Sequence, residues 1–284
     1  MAAPTPDYPN IVPPNNLRLP DALTIKHGPT QLLARFALEG DKAARDMGIE
    51  LRLRHDFDEL AYFNRQQVAL DTWYPLVDMF NYERVEMTPE NAFWISGQTK
   101  DGEIVVTWGA RVYNWTGTSL KEQACAMWYG RDEGQRCIVT ADAASVVSGV
   151  AICGGASWVR PDFRRRHLSR LAPRMGKAYA FSRWPIDWSF CYVMRHHVEM
   201  GLAAAYGQKH LSYSVIYPDS HLGELVLAYT SGADILSELS EFLRTDLLGE
   251  EGFAAEIAPA PETLEHSVMS TSSEGVFHGS SSRS

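Results

Sequence analysis

The chain is poor in the residues that would cross-link it, carry it through a membrane or coat a polyanion. Its 284 residues include four cysteines, Cys125, Cys137, Cys153 and Cys191. No two of them form a C-x-x-C pair, so neither a zinc site nor a redox dithiol is indicated, and they read as reduced thiols of a cytoplasmic protein. The longest uncharged run, Ala143–Val159, is seventeen residues rich in glycine and serine. It falls short of the roughly 20 apolar residues of a spanning helix, so no membrane is expected as a partner. The opening MAAPTPDYPN lacks the basic and apolar regions of a secretory signal. Positive charge is in deficit: Lys+Arg is 26 against Asp+Glu 35, a net −9. That balance disfavours nucleic acid or an anionic membrane surface as the partner. Hydrophobic residues at 45% nevertheless supply a sizeable core, which excludes a wholly disordered or collagen-like chain.

Local patterning divides the chain into three parts. Residues 1–29 hold seven prolines and read as an extended arm. Residues 30–248 carry the periodic segments. From 249 the chain turns acidic and then serine-rich, and reads as a flexible tail. Within the body, Leu32, Leu33, Phe36, Ala37 and Ala44 predict a helix over 30–47. Ile49, Leu51 and Leu53 alternate with charged residues as in a strand. Asp56 and Glu59 form a helix N-cap with a reciprocal carboxylate, and Trp73, Leu76, Val77 and Phe80 suggest a further helical stripe. A hairpin joins 93–98 to 104–113 through Asp101-Gly102. A helix over 119–129 follows, then a strand over 151–159 interrupted by Gly154-Gly155, a sign of a bulge or close approach. A helix over 166–182 containing Pro173, a strand at 188–194, a short helix over 197–206, a strand at 212–217 and a last helix around 235–243 complete the order. It predicts a mixed α/β sheet flanked by helices.

One segment stands apart in charge. Between Arg160 and Lys177 there are six arginines, one lysine and one acid, a local +6 in a chain that is −15 elsewhere. The segment begins where a strand gives way to a helix. Free amides and the helix dipole make such a turn an anion site, which arginine reinforces, so a phosphate or pyrophosphate is the natural guest. A solvated basic helix face is the plainer alternative, and an RNA backbone a less favoured guest. Gly149 and Gly154 have P-loop spacing, but Gly155-Ala156 stand where Lys and a hydroxyl are needed. No G-x-G-x-x-G follows a strand.

In register, Val159, Pro161, Phe163, Arg164 and Leu168 match V-x-P-x-[YF]-R-G-x-G-[IL]-[GA], and the segment resembles the coenzyme A turn of the GNAT superfamily of N-acetyltransferases. His167 departs from the pattern by replacing a glycine, and Ser169 by replacing Gly or Ala. Gly154-Gly155 sits where that family's central strand bulges and splays. Ala203–Leu211 resembles a later motif in which Tyr206 fits, while His210-Leu211 replaces Gly-Phe. The likeness in motifs spans about 140–217.

The resemblance implies a GNAT-like mixed sheet and acetyl-CoA or another acyl-CoA as co-substrate. It implies transfer of the acyl group to an amine acceptor by direct attack. The cofactor residues it implies are Trp158, Val159, Arg164, Arg165, Arg166, His167, Leu168 and Ser169. Tyr206 takes the place of the acid that protects the leaving thiolate, and Glu199 stands near the cleft as a candidate base, with a surface position on the helix as the plainer reading. A non-catalytic protein that keeps the fold and binds acyl-CoA is the alternative, and a homodimer is compatible with the sequence. His196, His197 and Glu199 invite a metal, but adjacent histidines on a helix point apart. Trp94, Trp108 and Tyr113 read as core residues ahead of pocket residues.

Overall fold

The structure, a computed structural model, describes residues 16–130, 136–218 and 222–249. A two-residue edge strand β1 (Leu17–Arg18) leads to α1 (Thr30–Asp46), whose buried Leu33, Phe36, Ala37, Gly40 and Ala44 recur at helical spacing. In β2 (Glu50–Arg54), Leu51 and Leu53 are buried as the alternation requires. Helix α2 (Phe57–Ala69) is capped by Asp56, whose carboxylate accepts from the amides of Asp58 and Glu59. Glu59 does not reciprocate; its carboxylate pairs with the buried Arg54.

The stripe at 73–80 is not a helix. Only Asp78–Phe80 form a single 3₁₀ turn. Pro75 interrupts the segment, and Asn64 captures the backbone on both sides of it, donating to the Tyr74 carbonyl and accepting from the Leu76 amide. The apolar residues still face inward, but from a loop.

The hairpin β3 (Ala92–Gln98) and β4 (Ile104–Ser119) turns at Gly102, φ +84°. Ser119 and Glu122 form the capping box of α3 (Leu120–Tyr129). After β5 (Ile138–Val139) come β6 (Ser148–Val159), α4 (Leu168–Arg183) and β7 (Trp188–Met194). The short helix expected at 197–206 is two, α5 (Arg195–Glu199) and α6 (Leu202–Ala205), parted by Gly201 at φ +80°. Next are β8 (His210–Ile216), β9 (Glu224–Ser231) and α7 (Gly232–Phe242). Strand β9 is not among the elements expected above, although Leu225–Tyr229 is an apolar run bounded by Gly223 and Gly232.

The described strands form a single nine-stranded sheet, ordered β1-β2-β3-β4-β6-β7-β9-β8-β5. Neighbours are antiparallel except β6 and β7, which are parallel. Helices α1, α4 and α7 bury Leu33, Phe36, Leu171, Met175 and Ile235 against one face. On the other, α2, α3 and the turn at 78–80 enclose Phe80, Trp94, Trp115, Trp128 and Phe190. The fold is thus mixed α/β with a flanked central sheet, as expected. Trp94 and Trp108 belong to its core. Of the arm 1–29, residues 1–15 lie outside the described residues, whereas Leu19 and Ala22 are buried in the first core. The tail expected from 249 also lies outside them, apart from Gly249.

Candidate active site

The parallel pair at the centre of the sheet comes apart. Strands β6 and β7 are in register from Ala151↔Trp188 to Cys153↔Phe190 and no further. Beyond that point β6 stays with β4 as far as Val159, and β7 stays with β9 as far as Met194. Two strand edges past Cys153 and Phe190 therefore face each other unpaired.

The cause lies in β6 and β4. Between the pairs Thr107↔Trp158 and Gly109↔Gly155, one residue on β4 faces two on β6. This bulge places Ala156 at φ +45°, with its carbonyl held by the Thr107 hydroxyl at 2.9 Å. Bulges bend the strand that carries the extra residue. The preceding glycines are close-approach positions: a Cβ at Gly154 would lie 2.7 Å from the Trp108 indole, and one at Gly155 would enter the Phe80 ring. The gap opens into a cleft of about 760 Å³.

At the mouth, Pro161–Phe163 make one 3₁₀ turn before α4. Arg165 (φ +64°) and His167 (φ +57°) both take the left-handed conformation that favours glycine. Both positions are glycine in the motif that the segment resembles, so the chain follows a glycine-like path without glycine. A left-handed residue followed by right-handed ones, as at His167 and the first turn of α4, turns successive amides to one side, as an anion-binding concavity does. The amides of Arg165, Arg166, Leu168 and Ser169 donate to no backbone carbonyl among the described residues. The first turn of α4 adds the positive end of its dipole.

The seven cations of the segment divide into two groups. Arg160 pairs with Glu103 at 2.8 Å and Asp162 at 2.7 Å. Arg170 pairs with Asp246 at 2.6 Å. Arg174, buried, binds Glu238 and donates to the carbonyls of Arg170 at 2.7 Å and Ala205 at 2.6 Å. Lys177, fully buried, donates to the Tyr206 and Gly207 carbonyls at 2.6 and 3.3 Å, and burial lowers its ammonium to about 8. These four are structural. Arg164, Arg165 and Arg166 are exposed at the turn. Arg164 and Arg165 line the cleft, and Arg166 stacks on Phe163 at 4.5 Å.

Of the remaining expected cofactor residues, Trp158, Val159, Leu168 and Ser169 line the cleft, and His167 is half-buried at the start of α4. The Trp158 indole donates to the Thr72 carbonyl at 3.0 Å and stacks on Trp73 at 5.9 Å, which fixes the 71–77 loop as one wall.

Tyr206, just past α6, lines the cleft together with Ser157 on the bulge. Burial pushes its phenol up to about 12. Glu199 is exposed at the end of α5 and is not brought to the cleft. Two residues earlier, on the opposite side of the helix, His197 does line it, half-buried. Desolvation, and then the neighbouring His196, lower its imidazole below the usual 6.5. The sequence singles out His197 only as a metal candidate beside His196, because a single helical turn leaves no periodicity to show which of two adjacent histidines faces inward. Among the described residues no group of three metal-ligating side chains occurs, and no helix is long and apolar enough to cross a membrane.

No family model and no curated protein matches the chain. Solved structures similar to it include FeeM, an N-acyl amino acid synthase from uncultured soil microbes, at 12% identity over 69% of this chain and 98% of that one, TM-score 0.45. Another is the ribosomal-protein-S5-alanine acetyltransferase of Vibrio fischeri, at 14% identity over 66% and 94%, TM-score 0.39. A third is Arabidopsis thaliana NAA60 in complex with acetyl-CoA, at 12% identity over 65% and 99%, TM-score 0.41. At such distances function has to be reasoned from this chain's own residues. Those residues build a mixed α/β sheet in which a bulged central strand runs into a turn at a helix start and parts from its parallel neighbour.

Proposed function

We propose that the chain is an acyl-CoA-dependent N-acyltransferase of the GNAT type. The observation that carries this reading is the continuity of two features. The amide turn at 164–169, flanked by three exposed arginines, opens directly onto the cleft between β6 and β7. A pyrophosphate suits the first, and a narrow extended arm suits the second. The residues fit coenzyme A despite the missing glycines, because Arg165 and His167 already hold the left-handed backbone.

When bound, acyl-CoA supplies an acyl group activated as a thioester. The chain's part is to hold that group against an amine and to manage protons and charge. Past Cys153 the free edge of β6 offers backbone amides toward the cleft, suited to polarising a carbonyl. As the amine nitrogen bonds to the acyl carbon, the carbon–sulfur bond breaks and the sulfur leaves with the electron pair. Tyr206, a neutral phenol throughout the physiological range, donates the proton that the thiolate takes up. His197, with a lowered imidazole in the same cleft, is neutral at pH 7 and accepts the proton the amine gives up.

The second reading, a non-catalytic acyl-CoA-binding protein, is favoured by the absence of any carboxylate on β6 and by the outward position of Glu199. Thiol release from acyl-CoA in the presence of an amine panel separates the two. The transferase reading expects amine-dependent release that Tyr206→Phe lowers by about 10²-fold, a typical general-acid contribution, while acyl-CoA affinity by calorimetry stays within about twofold. Binding without release for every amine leaves the second reading. Full activity of Tyr206→Phe removes the phenol from the mechanism.

A further inference from the structure

Charge in the cleft is confined to one end. Arg164 and Arg165 stand at the turn. Asp71 belongs to the loop that Trp158 ties down beside it through the Thr72 carbonyl. Away from the turn, on the face of the sheet opposite α4, the accessible wall is the half-buried Leu76, Val77, Tyr192, Met194 and Leu222, backed by the buried Met79, Phe80, Trp128 and Leu225. The one hydroxyl among these side chains, on Tyr192, accepts from Tyr217 at 3.1 Å, and that part of the wall carries no ionised group.

We propose that this apolar wall receives an acyl chain of about eight carbons or more, so that the donor is a medium- or long-chain acyl thioester and not acetyl. The inference rests on the acyl-CoA reading above and deepens it. An apolar wall of this extent gains little from an acetyl group, whose single methyl reaches only the splay point. It offers a cationic amine no counter-charge, which argues against its being the seat of a charged acceptor. A chain that leaves the thioester at the splay between β6 and β7 exchanges water for aromatic and branched side chains along its length. Burial of each methylene is worth about 0.8 kcal/mol, or about fourfold in affinity.

The test is calorimetry of the full chain with CoA, acetyl-CoA and octanoyl-CoA, and octanoate alone as a control for simple partition. The expected result is that octanoyl-CoA binds at least about 10²-fold more tightly than acetyl-CoA, a conservative fraction of six methylenes at about fourfold each. Leu76→Glu sets a carboxylate into the half-buried wall without emptying the core, and should cut the octanoyl-to-acetyl ratio at least about tenfold. Equal affinity for the two thioesters, with both binding, overturns the chain-length proposal and leaves the acyl-CoA reading standing. An octanoyl preference that Leu76→Glu leaves untouched overturns it as well, because the chain then lies elsewhere. Binding of none of the three CoA species overturns both readings together.

Discussion

Replacement of Arg165 tests the phosphate turn through two separable quantities. The residue is exposed, and its backbone sits at φ +64°. A side chain in the left-handed region costs about 1–2 kcal/mol. Glycine escapes that cost but loses more freedom on folding, about 0.5–1 kcal/mol. Arg165→Gly should therefore be more stable than Arg165→Ala by about 0.5–1 kcal/mol, and Ala should be close to the parent, since it keeps the same strained backbone. For a body of this size that is a melting-temperature difference of about 1–4 °C. Both variants lose the same guanidinium. An exposed charge pair is worth about 0.2–1 kcal/mol, so both should bind CoA about 1.5- to 5-fold more weakly. Differential scanning fluorimetry reads the first quantity and calorimetry the second. If Gly and Ala melt together, position 165 is not left-handed and the concave run of amides does not exist as described. If Gly stabilises but neither variant weakens binding, the turn is formed and its guanidinium faces away from the ligand.

Other expectations follow from the same geometry. Gly155→Ala would drive a methyl into the fully buried Phe80 ring; it should destabilise the fold by about 1–3 kcal/mol in chemical denaturation, and an unchanged midpoint would refute the close approach. Lys177→Met leaves the Tyr206 and Gly207 carbonyls without their donor and should cost about 1–3 kcal/mol. In the parent, burial lowers Lys177 to about 8 from 10.5. Between those values the unfolded chain binds more protons than the folded one, so this group's contribution to stability rises as pH rises through that window. The rise should be missing from the pH–stability curve of Lys177→Met. If His197 accepts the amine proton, activity should fall on acidification with a midpoint below 6.5, since the protonated ring cannot act as a base. In His197→Gln that acidic limb should vanish together with most of the rate; an unaltered limb would assign it to another group.

The sequence determined the local elements and the position of the turn at 164–169, because both depend on neighbours in the chain. Periodicity over 30–47, the Asp101-Gly102 turn and the Ser119–Glu122 cap each state a preference that a few residues settle among themselves. The run from Val159 to Ser169 could be read for the same reason: a strand end, a proline, a helix start and a cluster of arginines lie within a dozen residues. Other features depended on partners distant in sequence. Pro75 and Asn64 unwind the stripe at 73–80 into a wall of the cleft. Strand β9 enters between β7 and β8, a placement that only sheet pairing can specify. The basic run looked uniform, yet Glu103, Glu238 and Asp246, from 57 to 76 residues away in sequence, claim Arg160, Arg174 and Arg170 for the scaffold. What remains exposed at the turn is the triplet Arg164–Arg166. Which helix residues face the cleft, Tyr206 and His197 but not Glu199, was likewise decided by how α5 and α6 pack beside the splayed strand. Local preferences are fixed by the chain's own backbone; which side chains meet across a gap is fixed only when distant strands and helices close around it.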